Sequence, residues 1–224
     1  MGKQKPLVVV SGSSKGSRSA WQASRILLGI HGAQSRFVHP NNWSEEISMD
    51  GLLLLGGVDI DPALYGGKPH PSIMRIEPER DHMELQLLQY AKRENLPVMG
   101  ICRGMQMINL SYGGTLLPHI GDLELDFVHH KTLFPMKRVN VIDGTRLHAI
   151  FDSHRVKVNA LHHQTVERLG VGLRKAAHDR NGIIQAIEHN EVPFVMGVQW
   201  HPEFMPYMWH TQRLFDAFVR AARV

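Results

Sequence analysis

The chain has 224 residues, 43% of them apolar, enough for one ordinary domain over residues 1–224 and short for two. Lysine and arginine outnumber aspartate and glutamate by 25 to 21, a formal charge of +4 with the fifteen histidines neutral. Arg138, Arg146, Arg155, Arg168 and Arg174 are spaced as on a solvated surface and no basic cluster is interleaved with aromatics, which argues against a nucleic-acid partner. A single cysteine excludes an internal disulfide and suits a reducing cytoplasm. No apolar run approaches a membrane span, and Met1 to Pro6 leads through Leu7 to Val10 straight into the polar Ser11 to Gly16 stretch, with no leader-like apolar core.

In chain order, Leu7 to Val10 reads as a short strand and Ser17 to Gly32 as a helix with Trp21, Ala23, Ile26, Leu27 and Ile30 on its apolar side. Arg36 to Val38 suggests a second strand, and Gly51 to Leu55, an unbroken apolar run after glycine, a central parallel one. Glu79 to Glu94 is a helix buried through Met83, Leu85, Leu87, Leu88 and Ala91. The apolar run Leu96 to Met99 then leads into a helix from Gly104 to Tyr112, stopped by Gly113-Gly114. This alternation implies a doubly wound, mostly parallel sheet flanked by helices, with ligands at the carboxyl ends of its strands. The C-terminal half offers shorter strands, Arg138 to Ile142, Val156 to Asn159, Ile183 to Ile187 and Phe194 to Gln199. Asp143-Gly144 and Asn181-Gly182 are hairpin-type turn signals between them. These strands are expected to extend one side of the sheet antiparallel, before a closing helix from Pro206 to Ala222.

The most informative segment is Gly100-Ile101-Cys102-Arg103-Gly104, which places the only cysteine between two glycines where a strand meets a helix. A strand that turns sharply into a helix holds its turn residue in a strained conformation, and the positions two away on either side must be small. The helix N-terminus then favours a thiolate and a developing oxyanion. On its own, a lone cysteine after a strand is as readily a small core residue. A second segment changes the balance: Phe194 to Gln199 is a buried-looking strand that runs into Trp200-His201-Pro202-Glu203. In an extended segment residues two apart share a face, so Glu203 can hold the His201 imidazole while His201 withdraws the thiol proton. The two features together favour a cysteine-dependent hydrolase or transferase over a silent fold.

The stretches Gly100 to Gln106 and Gly197 to Glu203 resemble the two signature motifs of class I glutamine amidotransferase-like proteins, whose fold is flavodoxin-like. Leu54 to Gly66, Glu79-Arg80-Asp81 and Val158 to Gln164 further resemble the γ-glutamyl-γ-aminobutyrate hydrolase branch, peptidase C26. The resemblance implies Cys102 as nucleophile, His201 as general base and acid, and Glu203 as the residue orienting it. It implies an oxyanion hole from the backbone amides of Gly57 and Arg103, with Gln106, His162 and His163 lining the γ-glutamyl pocket, although adjacent histidines in a strand point to opposite faces. The implied activity is hydrolysis of a γ-glutamyl amide, the leaving amine being γ-aminobutyrate or a polyamine, with a small-molecule substrate, no cofactor and a homodimer left open. Two other readings share the fold: a glutaminase component feeding ammonia to a separate synthetase, and a catalytically silent binding protein.

Other polar features carry less. The paired His129-His130 and His162-His163 suit a metal poorly compared with i, i+4 spacing, so no metal site is expected. Ser11 to Gly16 lacks the full phosphate-loop pattern and reads as a polar connection into the first helix. Asp59 and Asp61, ahead of Pro62, are expected to cap a turn or border the site mouth, where with Glu124 or Asp126 they would attract a cationic amine.

Overall fold

The computed structural model describes residues 4–127 and 131–223, so His129-His130 lies outside the described residues. Its centre is a nine-stranded sheet. Five strands are parallel: β1 (Leu7–Ser11), β2 (Gln34–Val38), β3 (Gly51–Leu54), β4 (Val98–Ile101) and β11 (Val195–Val198). Four more continue it antiparallel beyond β11: β10 (Ile184–His189), β9 (Leu173–His178), β6 (Thr132–Val141) and β7 (Arg155–Ala160). A separate two-stranded sheet pairs β5 (Thr115–Leu117) with β8 (Thr165–Arg168).

The continuous apolar runs of the central strands follow from burial on both faces. Val8, Val10, Leu53 and Leu55 pack into one core, while Val9, Leu52 and Leu54 pack into the other, the strand's period of two dividing each run between them. The first core is closed by α1 (Arg18–Ile30), α4 (Arg146–Phe151) and α5 (Trp209–Ala221), the second by α2 (Pro78–Arg93) and α3 (Arg103–Ser111). Among the described residues no helix is long and apolar enough to cross a membrane.

Several expectations need correction. The buried stripe of α1 is Ala20, Ser24, Leu27 and Leu28, spaced i, i+4, i+7 and i+8, whereas Ile26 and Ile30 are 61% and 62% exposed. Asp143-Gly144 is not a hairpin turn: Gly144 adopts φ +70°, Thr145 accepts the His148 amide at 3.1 Å, and the chain enters α4 before β7 begins. Asn181-Gly182 does join two strands, β9 and β10, with Gly182 at φ +77°. β9 itself, Leu-Arg-Lys-Ala-Ala-His, shows no apolar run because only Leu173, Ala176 and Ala177 are buried. Of the five arginines expected on a solvated surface, Arg138, Arg155 and Arg168 are exposed, whereas Arg146 and Arg174 are half-buried.

Candidate active site

β4 runs between β3 and β11 and ends at Cys102, whose backbone sits at φ 52°, ψ −106°, a region that side chains other than glycine rarely enter. The turn is held from both sides, because the Cys102 amide donates to the Val198 carbonyl at 2.7 Å and its own carbonyl accepts from Gln106 N at 3.3 Å. A methyl group on Gly100 would stand 2.5 Å from the Gly104 carbonyl, and one on Gly104 would collide with the Leu54 carbonyl. The glycines two residues either side of the cysteine are thus required by backbone packing against α3 and β3. Arg103 opens α3, so its amide has no acceptor within its own helix.

His201 reaches this turn from β11, but not along an extended strand. β11 ends at Val198, and Glu203 lies in a 3-10 turn, Pro202–Phe204. The expected contact forms by that tighter route, with His201 Nδ1 2.8 Å from Glu203 Oε1 and both residues buried. This leaves Nε2 as the ring nitrogen not engaged by Glu203, with the Cys102 sulfur close enough to support its charge. Burial opposes a charge on His201, yet the neighbouring Glu203 and Cys102 outweigh it and hold the imidazole protonated well above its usual range. Phe204 stacks on the ring, its centroid 5.6 Å away. Asn159 clamps the His201 backbone, donating to its carbonyl at 2.9 Å and accepting from its amide at 2.8 Å. Asn159 belongs to the Val158 to Gln164 motif, but its spacing alone assigns it no role.

The Gly56-Gly57 loop after β3 lies over the elbow. A side chain on Gly56 would collide with His201, and one on Gly57 would collide with Arg80 and stand 3.2 Å from Arg103 Cδ. Beneath the loop is a buried ionic cluster that includes Arg80 and Asp81 of the Glu79-Arg80-Asp81 motif. Arg80 Nη2 donates to the carbonyls of Leu55 and Gly56 at 2.9 and 3.1 Å, and its Nε donates to Glu84 at 2.8 Å. The Arg103 guanidinium pairs with both Asp81 and Glu84. Burial penalises the Glu84 charge, but Arg103 and Arg80 overcome that cost and hold its carboxyl below the usual range. For Asp81 burial prevails over Arg103, and its pKa is pushed up to about 6.

The residues expected to line the γ-glutamyl pocket are placed differently from one another. Gln106 is buried and donates to Gln199 Oε1 at 3.2 Å and to the Gln164 carbonyl at 3.3 Å, while Gln199 donates to the Cys102 sulfur at 3.5 Å. His162 is buried, with Nδ1 2.9 Å from the Gln164 carbonyl. His163 is half-buried and pairs with Asp59 at 2.7 Å, on the chain just beyond Gly57. Asp61 caps a short 3-10 turn by accepting from Ala63 N at 2.9 Å, the turn role expected of it, whereas Asp59, rather than capping a turn, also accepts the distant Met74 amide at 3.2 Å. Glu124 and Asp126 are exposed. Among the described residues one group, Asp143, His148 and His154, has ligand atoms within 4.8 Å of one another and could hold a metal ion. It sits where β7 begins, at the opposite end of that strand from His162.

Comparison with known proteins bears on this geometry. A model of the peptidase C26 family matches residues 40–203. A Mycobacterium tuberculosis protein provisionally named a glutamine amidotransferase is 40% identical over 178 residues, covering 78% of this chain and 56% of its own length. The γ-glutamyl-γ-aminobutyrate hydrolase of Escherichia coli O157:H7 is 31% identical over 189 residues, covering 78% of this chain and 72% of that protein. The fold of a Thermoplasma acidophilum protein, provisionally described as part of a GMP synthase, superposes with a TM-score of 0.69 at 20% identity over 99% of this chain and 96% of that one. A match over most of the sequence, with Cys102 and His201 following the carboxyl ends of adjacent strands, places the chain in the peptidase C26 family of the class I glutamine amidotransferase-like superfamily.

Proposed function

We propose that the chain hydrolyses a γ-glutamyl amide through a γ-glutamyl thioester on Cys102. The observation that carries this reading is the strained Cys102 elbow at the end of β4, next to the strand that leads into His201, whose imidazole Glu203 orients from 2.8 Å. With the thiol proton already on His201, the sulfur attacks the side-chain carbonyl as a thiolate, and the carbonyl oxygen becomes an oxyanion facing the amides of Gly57 and Arg103. As the tetrahedral intermediate collapses, the C–N bond breaks and His201 gives its proton to the departing amine. Water, deprotonated by His201, then attacks the thioester, the C–S bond breaks, and glutamate leaves with the thiol restored. Gln106, His162 and His163 are assigned to the pocket around the γ-glutamyl group.

The leaving amine is proposed to be γ-aminobutyrate or a polyamine, by likeness to the Escherichia coli hydrolase. The second reading, a glutaminase supplying ammonia to a synthetase, is favoured by the glutamine amidotransferase name of the mycobacterial relative. Purified protein assayed for glutamate release against glutamine, γ-glutamyl-γ-aminobutyrate and γ-glutamyl-polyamines separates them. We expect the conjugates to be turned over without a partner protein and Cys102→Ser to abolish turnover while the fold melts as in the wild type. Turnover of glutamine alone, rising on addition of a synthetase, would transfer the assignment to the second reading, and full activity in Cys102→Ser would defeat both.

A further inference from the structure

On the hydrolase reading above, an oxyanion hole made of the Gly57 and Arg103 amides has its two donors on separate elements, one on the loop after β3 and the other at the start of α3. Nothing covalent sets their spacing. We propose that Glu84, in the middle of α2, is the positioning residue that does, acting as a buried strut between the two.

One arm of the strut runs to the loop. Arg80 Nε donates to Glu84 Oε1 at 2.8 Å, and the same guanidinium grips the Gly56 carbonyl at 3.1 Å and the Leu55 carbonyl at 2.9 Å. The Gly56 carbonyl and the Gly57 amide belong to one planar trans peptide, so holding the oxygen from beneath aims the N–H away from Arg80. The other arm runs to the helix: Glu84 Oε2 accepts from the Arg103 guanidinium, the side chain of the residue that carries the second amide. Ser11, at the end of β1, donates to Glu84 Oε1 at 2.9 Å and pins the carboxylate itself.

Arg80 and Glu84 are wholly buried and Arg103 is 1% exposed. Ions taken this far from water cost more in desolvation than their mutual attraction returns unless the geometry is close to ideal, and apolar residues would fill the same space more cheaply. What a carboxylate supplies that an apolar filler cannot is a two-ended connection of fixed length between guanidiniums. Glycine at 57 fits the same design, since any side chain there would displace Arg80.

The test uses the full chain with Glu84→Gln, an isosteric change that keeps one acceptor oxygen and loses the other, and Ser11→Ala, a milder change that loosens the carboxylate without removing it. Three quantities are measured: kcat and KM on a γ-glutamyl amide, inhibition by glutamate γ-semialdehyde, and the rate of disulfide formation between Cys102 and a methanethiosulfonate. The thiol adds to the aldehyde carbon and puts an oxyanion on it, whereas the methanethiosulfonate is attacked at sulfur, its S–S bond breaking to release methanesulfinate, and no oxyanion forms on an attacked carbon. Glu84→Gln is expected to lower kcat about 100-fold and weaken aldehyde binding by a like factor, with KM and the methanethiosulfonate rate changed less than about threefold. Ser11→Ala should lower kcat and aldehyde affinity together by about fivefold. A folded Glu84→Gln protein with wild-type kcat overturns the strut, as does a loss of kcat matched by an equal loss of methanethiosulfonate reactivity. Should Glu84→Gln not fold, wild-type kcat in Ser11→Ala overturns it. A wild type silent toward every γ-glutamyl amide overturns the hydrolase reading and the strut with it, whereas an active wild type with unaffected variants overturns the strut alone.

Discussion

Asn159, at the end of β7, holds the His201 peptide from both sides, its side-chain amide donating to the His201 carbonyl at 2.9 Å and accepting from the His201 amide at 2.8 Å. His201 stands three residues past the last strand position of β11, so no ladder hydrogen bond fixes it and Asn159 does so instead. Asn159→Ala leaves the buried His201 amide unpaired, at a cost of about 1–3 kcal/mol, and leaves its carbonyl only the Phe204 amide at 3.3 Å. The imidazole would then be free to drift, and a displacement near 1 Å costs about 100-fold in rate. Thermal melts should show a clear drop, and kcat/KM measured well below the melting temperature should fall by about 10- to 100-fold. A lowered melting temperature with kcat/KM unchanged would show that the clamp serves stability alone.

The pH response of His201 follows from its neighbours. Burial works against its charge, but Glu203 and Cys102 raise its pKa well above 6.5, the charge of Glu203 being the largest single support. A group raised in the folded state contributes its full stabilisation below its unfolded value, about 6.5, and loses it as pH rises through the folded one. Glu203→Gln removes the carboxylate and lets burial dominate, so the imidazole should titrate at lower pH. The variant should melt below the wild type at neutral pH, with the gap closing at alkaline pH. Ring-proton NMR titration of His201, run beside the melts, checks the sign. Identical titration curves in the two proteins would remove Glu203 from this role.

The parts of the site written plainly in the sequence are those imposed by steric exclusion. Gly100 and Gly104 flank Cys102 because backbone atoms of α3 and β3 occupy the space a side chain would need. The pairing of His201 with Glu203 was legible by proximity, although the extended geometry assumed for it is replaced by a 3-10 turn. The burial of Arg80, Asp81 and Glu84 was hidden for a physical reason. Charged residues in the first two turns of a helix are usually solvated, and only the packing of α2 beneath the Gly56-Gly57 loop reveals that all three are buried. β1, β3 and β4 were readable from their buried apolar runs, whereas β11, expected among the antiparallel additions, pairs parallel with β4. β9 and the β5–β8 pair were not readable, because half-exposed strands of mixed composition carry no comparable signal.

Glycine replacement distinguishes excluded space from mere flexibility. Gly100→Ala would place a methyl group 2.5 Å from the Gly104 carbonyl, and neither strand nor helix can yield without moving Cys102. Such overpacking costs about 3 kcal/mol, and the variant should melt markedly lower and lose thiol reactivity. Gly29, inside α1, has open space within 4 Å of where a methyl group would stand. Gly29→Ala should therefore raise stability by about 0.5–1 kcal/mol, as expected for glycine in a helix interior. Urea unfolding of the two variants beside the wild type gives the ordering, and a neutral Gly100→Ala would contradict the elbow packing.

Glu188 offers a control far from the chemistry. It lies on β10, one step farther from the cleft than Ala186, which pairs with the end of β11, and it is wholly buried. Its two oxygens accept the amides of Arg146 and Leu147 at 2.8 and 2.9 Å, so a residue of the sheet caps α4 alongside the local cap of Thr145 on the His148 amide. Arg174 also donates to it at 2.6 Å, but the Arg174 side chain is 42% exposed, and water and salt screen much of that attraction. The cap should therefore outweigh the ion pair. Glu188→Ala is expected to cost about 3–5 kcal/mol, because two helix amides and a cation lose a buried acceptor together. Arg174→Ala should cost about 1 kcal/mol or less. The kcat/KM of each, measured at a temperature where it is folded, should stay at the wild-type value, since neither residue touches the cleft. Equal losses of stability in the two variants would assign the energy to the ion pair, and a loss of kcat/KM in Glu188→Ala would show that α4 communicates with the site through the sheet.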